Sequence, residues 1–108
     1  MQYQNVYQLF RAQTAKYRGR ALFHHDPDGS GWQGSNWEEF EEDVHALACA
    51  FLANGLTPGA SVAILAGNIP HWGIADLAAI AAGGVGVGIY PTSSAEQCEY
   101  IINHSEAE

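Results

Sequence analysis

Two short runs carry side chains able to ligate a metal or move a proton. His24, His25, Asp26 and Asp28 fall within five positions, and His45 and Cys49 stand one helical turn apart. Zinc takes imidazole, thiolate and carboxylate donors in sets of three or four at recognisable spacings. Neither run supplies such a set. Neighbouring histidines on a strand project to opposite faces, and aspartates in a turn commonly accept hydrogen bonds from nearby backbone. Two residues four apart on one helix make two ligands and stop there. The residues predict turn and surface chemistry, and no metal site is expected.

The third candidate is an anion site. The helix that follows Gly67 aims its N-terminus at the carboxyl end of a strand, the place where open parallel sheets bind anions. Gly67-Asn-Ile-Pro70 offers one glycine where dinucleotide folds use three, and no Gly-Lys-Ser/Thr follows. Gly84, Gly86 and Gly88 alternate inside a strand, where small residues serve close helix packing better than phosphate binding. The chain holds no Gly-x-Ser-x-Gly, no Cys-x-x-Cys and no His-Glu-x-x-His. Cys49 and Cys98 are isolated and are expected as buried thiols.

The elements that position these residues centre on Ser61 to Thr92. Ser61-Val-Ala-Ile-Leu-Ala66 reads as a strand, Ile69 to Ala82 as an almost uncharged helix, and Val85-Gly-Val-Gly-Ile-Tyr90 as a second strand. A crossover of that length makes the strands parallel and close neighbours in one sheet. Trp72, Leu77 and Ile80 point in different directions, so the sheet alone does not bury this helix, and a cover from outside these 108 residues is expected. Such a bare face predicts self-association through helix 69–82.

Before that unit, Asn5 and Gln8 have capping-box spacing and open a helix carrying Val6, Leu9, Phe10, Gln13 and Tyr17 as far as Gly19. Ala21–His25 and Trp32–Ser35 form a hairpin across the turn Asp26-Pro-Asp-Gly-Ser-Gly31. A second box, Asn36 with Glu39, opens a helix whose Trp37, Phe40, Val44, Leu47, Ala48, Phe51 and Leu52 make one apolar stripe ended by Gly55. After Tyr90, overlapping Ser93/Glu96 and Ser94/Gln97 boxes open a last helix through Tyr100, Ile101 and Ile102. The composition at Glu108 is not that of a tail, and a chain cut before its next strand is expected.

Charge narrows the function. The net charge is -8, yet the four cations Arg11, Lys16, Arg18 and Arg20 all precede Ala21, and all twelve carboxylates follow it. A cation-free remainder excludes nucleic acid, anionic membrane surface and charge-held polyphosphate as partners there. The carboxylates from Glu38 to Asp43 suit the positive N-terminal end of their helix. Hydrophobic content of 47% excludes disorder, and no run spans a bilayer. No basic start followed by an apolar stretch opens the chain, so a cytoplasmic protein is expected.

The order of several blocks carries a resemblance. Val6-Tyr-Gln-Leu-Phe10, Trp37-Glu-Glu-Phe40 with Ala46-Leu-Ala48, Gly55-Leu-Thr-Pro-Gly59, Val62-Ala-Ile-Leu65, Asn68-Ile-Pro-His-Trp72 and Gly83 to Ile102 resemble the start of AMP-forming acyl-CoA synthetases. Tyr90-Pro-Thr-Ser-Ser-Ala-Glu-Gln97 is similar to the long-chain fatty acid branch. The resemblance implies an α/β fold: three layers, a partly parallel sheet with flanking helices and a small antiparallel hairpin, forming an incomplete subdomain of a larger fold. Residues 1–108 would then be the truncated N-terminal part of an adenylate-forming domain. It also implies a two-step ligase that uses ATP, Mg²⁺ and CoA, first making acyl-adenylate and then acyl-CoA.

The family's Ser/Thr/Gly-rich loop with its lysine, its adenine-contacting segment, its ribose-binding aspartate and its C-terminal lysine have no counterpart here. The chain alone is therefore expected to bind none of these cofactors and to be inactive, its partner being the remainder of the synthetase. Short-chain relatives touch the CoA nucleotide with the loop that aligns, through Glu96, to Tyr90, Pro91 and Thr92, although Pro91-Thr92 stands where they carry a glycine pair. Two rival readings stay open at this point. One is a free-standing, non-catalytic domain that binds a partner through helix 69–82, and the other is an aryl-CoA or luciferase-like branch of the same superfamily.

Overall fold

The computed structural model describes residues 2–26 and 28–108, so what was expected of Met1 and Pro27 lies outside the described residues. Eight elements follow in order: α1 (Val6–Tyr17), β1 (Ala21–His25), β2 (Gln33–Asn36), α2 (Trp37–Ala53), β3 (Ser61–Leu65), α3 (Pro70–Ala81), β4 (Val85–Ile89) and α4 (Ala95–His104). Each agrees with its expected counterpart to within about two residues at either end. The strands make two separate sheets: β1 pairs antiparallel with β2, and β3 pairs parallel with β4.

Local chemistry sets the helix starts. Asn36 accepts from the Glu39 amide while the Glu39 carboxylate accepts from the Asn36 amide, closing the capping box of α2. Ser94 and Gln97 close the same box on α4, whereas Ser93 bonds back to the Tyr90 carbonyl. At α1 only half of the expected box forms. Asn5 Oδ1 accepts from the Gln8 amide, but the Gln8 side chain turns to the Gln4 amide at 3.0 Å.

The core lies between helices. Phe40, Val44 and Ala48 of α2 pack with Ile74, Ala78 and Ala82 of α3, and Phe10 of α1 closes the cluster. Phe10 sits edge-on to Phe40 and stacks on Trp37, with ring centroids 5.8 and 5.9 Å apart. Gly73 permits this approach, since a Cβ there would stand 3.3 Å from Phe40 Cζ. These contacts correct the expectation of an outside cover for α3. Its side away from the sheet is buried by α2 and α1 of the same chain, because the α2 stripe faces α3. The stripe is also narrower than expected: Leu52 is exposed, and so are Val6 and Leu9 on α1. The thiols depart from expectation too, with Cys49 exposed and Cys98 half-buried. Cys49 lies one position past Ala48, about 100° around the helix, which carries it off the buried face.

The sheet is where the site is built. Val62, Ile64, Gly86 and Gly88 share the face toward α3, where a Cβ at Gly88 would stand 3.1 Å from Trp72 and one at Gly86 would run into the Asp76 carboxylate. Beyond α4, Ala107 forms a parallel bridge to Ser61, and Glu108 donates its amide to the Ser61 carbonyl at 3.0 Å. Ala60 meanwhile accepts from Val85 of β4, so Ala107 lies on the opposite edge of β3. The α3 connection thus moves one way across the sheet and the α4 connection the other. Right-handed crossovers then put α3 and α4 on opposite faces.

Candidate functional site

Where successive crossovers leave a parallel sheet toward opposite faces, a crevice opens at the carboxyl ends of the strands. In this chain that place is the end of β3 and β4. A cleft of about 590 Å³ lies there, lined by Ala66–Ile69 after β3, by Ile89, Tyr90 and Pro91 at the end of β4, by Trp72 of α3 and by Phe23 of the hairpin. Its walls are largely apolar and aromatic, with Asn68 as the one side-chain amide. The start of α3 belongs to this cleft: Ile69 is its N-cap without a side-chain hydrogen bond, and Pro70 fills the first helical position.

Tyr90, Pro91 and Thr92 sit at the junction of two clefts. Tyr90 and Pro91 border the first, and Tyr90 and Thr92 border a second of about 630 Å³ with Ser93, Glu96, Gln97, Tyr100 and Ile101. Tyr90 is 82% exposed and offers a free ring face between them. The Gln97 carbonyl is taken by the Ser94 amide, leaving the Glu96 carboxylate as the charge in the second cleft. No lysine or arginine follows Arg20, so neither cleft carries a cation of that kind. A developing phosphoryl or acyl oxyanion needs donors and positive charge aimed at it, and a nucleotide triphosphate finds no such partner among these residues.

The cations are used elsewhere. Arg18 pairs with Glu38 at 2.8 Å and Arg11 with Glu41 at 3.2 Å, tying α1 to the acidic start of α2, while Lys16 and Arg20 lie over the Tyr17 ring. Exposed pairs of this sort contribute at most about 1 kcal/mol each.

The histidine and aspartate run stays apart from the clefts. His25 packs edge-on to Phe23, and His24 lies over Gly34. Hydrogen bonds from the Ser30 hydroxyl and amide hold the Asp28 carboxyl below its ordinary pKa, and Asp26 accepts from the Gly31 amide at 3.2 Å. The aspartates thus do the backbone work expected of a turn. His45 Nε2 lies 3.7 Å from Cys49 Sγ on the outer face of α2, a contact of two groups. Among the described residues no helix is long and apolar enough to cross a membrane.

Sequence reasoning named the Tyr90–Thr92 loop and weighed the start of the helix after Gly67 as an anion site, but missed the apolar cleft that joins them. Phe23 and Ile89 are far apart in the chain, and no local pattern announces that a hairpin side chain reaches the end of β4.

Comparison with known proteins decides the lineage. A family model described as AMP-binding enzyme matches residues 10–108. The chain belongs to the AMP-binding enzyme family. A long-chain fatty acid–CoA ligase of Xenopus laevis is 37% identical over 102 residues, which cover 94% of this chain and 14% of that ligase. Two solved structures of adenylate-forming proteins share the fold. The N-terminal subdomain of NpsA from Klebsiella oxytoca superposes with a TM-score of 0.86 at 23% identity, covering 98% of this chain and 26% of that one. The fatty acid AMP ligase of Legionella pneumophila gives 0.85 at 20% identity, covering 98% and 19%. This member of the AMP-binding enzyme family therefore matches the N-terminal region of long-chain fatty acid–CoA ligases and spans about a seventh of the relative's length. A free-standing partner-binding domain is not favoured, because the match runs through α2, α3 and both parallel strands rather than through one surface.

Proposed function

We propose that this chain is a scaffold from the N-terminal part of a long-chain fatty acid–CoA ligase, acting in the cytoplasm and making no acyl-adenylate by itself. The observation that carries the reading is the crevice at the ends of β3 and β4, which has aromatic walls and no lysine or arginine. Its chemistry suits an apolar or aromatic surface, so ATP and Mg²⁺ belong to other parts of such a ligase. The residues of this chain do not fit a triphosphate, and no step is assigned to them. Its working partner is the rest of a synthetase.

Within this reading Tyr90, Pro91 and Thr92 form a CoA-side loop. The exposed Tyr90 ring and the Thr92 hydroxyl suit the flat base of a nucleotide, while the Glu96 carboxylate turns phosphates away from the second cleft. CoA supplies the acyl-accepting thiol in such a ligase, and this loop does no more than hold the far end of the molecule.

Fatty-acid-dependent ATP–pyrophosphate exchange tests the scaffold assignment. The purified chain is expected to show none, and exchange above a no-enzyme control overturns it. Titration with CoA, followed by amide NMR, tests the loop separately. Shifts confined to residues 90–97 support it, and an unchanged spectrum at millimolar CoA removes the loop assignment while leaving the scaffold in place.

A further inference from the structure

We draw no further inference here: the strongest candidate, the apolar cleft at the carboxyl ends of β3 and β4, belongs to the site already described, and nothing in the structure shows what covers its aromatic walls.

Discussion

The α2–α3 layer and the β4–α4 layer end up with opposite surfaces. Val44 is 0% exposed, and Phe40, Ala48, Ile74 and Ala78 are buried around it. On the other side α4 buries no residue at all, Tyr100 is 66% exposed, and Tyr90, Val85 and Leu65 are open to solvent. Both helices have closed capping boxes, so the difference does not arise from how they start. It arises from what each apolar stripe finds opposite it. The α2 stripe meets another helix at close range, with Gly73 opening room for Phe40. The α4 stripe, by contrast, is held to the body mainly through the chain that follows it, where Glu108 reaches Thr57 and Ser61. Stability therefore concentrates in one layer, while open surface and the second cleft gather at the other.

Phe40→Ala tests that contrast with the largest expected effect. Emptying a buried aromatic site typically costs about 3–5 kcal/mol, read by denaturant unfolding, and a loss below about 1 kcal/mol would show that the core lies elsewhere. Gly84→Ala comes next. An added Cβ would stand 2.8 Å from the Ala60 carbonyl and 3.3 Å from that of Ala79, so backbone must shift, at about 1–3 kcal/mol.

The two capping boxes give a matched pair. Asn36→Ala and Ser94→Ala each remove one cap, for about 1 kcal/mol of helix stability. Asn36→Ala should lower the global melting temperature. Ser94→Ala should leave it nearly unchanged and instead speed hydrogen exchange along α4, because that helix frays without unfolding the core. Equal global losses would erase the distinction between the layers.

The Thr57–Glu108 tie has a pH signature. Hydrogen bonds from the Thr57 hydroxyl at 2.7 Å and the Thr57 amide at 3.1 Å hold the Glu108 carboxyl below its ordinary value of 4.5. A carboxyl depressed in the folded state contributes above its unfolded pKa, and that contribution disappears as pH falls through the folded one. Acidification should thus release the segment after α4. Thr57→Ala should bring the Glu108 titration, followed by NMR, back up toward 4.5. Smallest of all, Tyr100→Ser on the open face of α4 should stay within about 0.5 kcal/mol of the parent.

Much of this arrangement is legible along the chain wherever the cause is local. Capping at Asn36 and Ser94, the stop at Gly55 and the alternating glycines of β4 each depend on residues a few positions apart. The closeness of α3 to the sheet followed from Gly86 and Gly88, and Trp72 and Asp76 do lie against them. Burial was less legible. Cys49, Leu52, Val6 and Leu9 sit on or beside apolar stripes and still face solvent, because a stripe shows which side of a helix is apolar and not how wide its partner is. Of the candidate site, the Tyr90–Thr92 loop was visible through its family pattern. The cleft it borders was not, because it depends on Phe23 and Trp72 converging from different elements.

By itself the sequence determined the order and type of the elements, the parallel pairing of β3 with β4 and the confinement of Lys and Arg to the first twenty residues, and it suggested the AMP-binding lineage. The first three rest on short-range spacing or on composition, and the lineage on a family resemblance carried by the order of several blocks. Only the tertiary structure decided that α2 covers α3, that α4 lies on the opposite face with nothing buried, and that an apolar cleft opens where β3 and β4 end. Those outcomes depend on how surfaces far apart in the chain fit one another, and the free energy of that fit resides in the contacts rather than in any single stretch of residues.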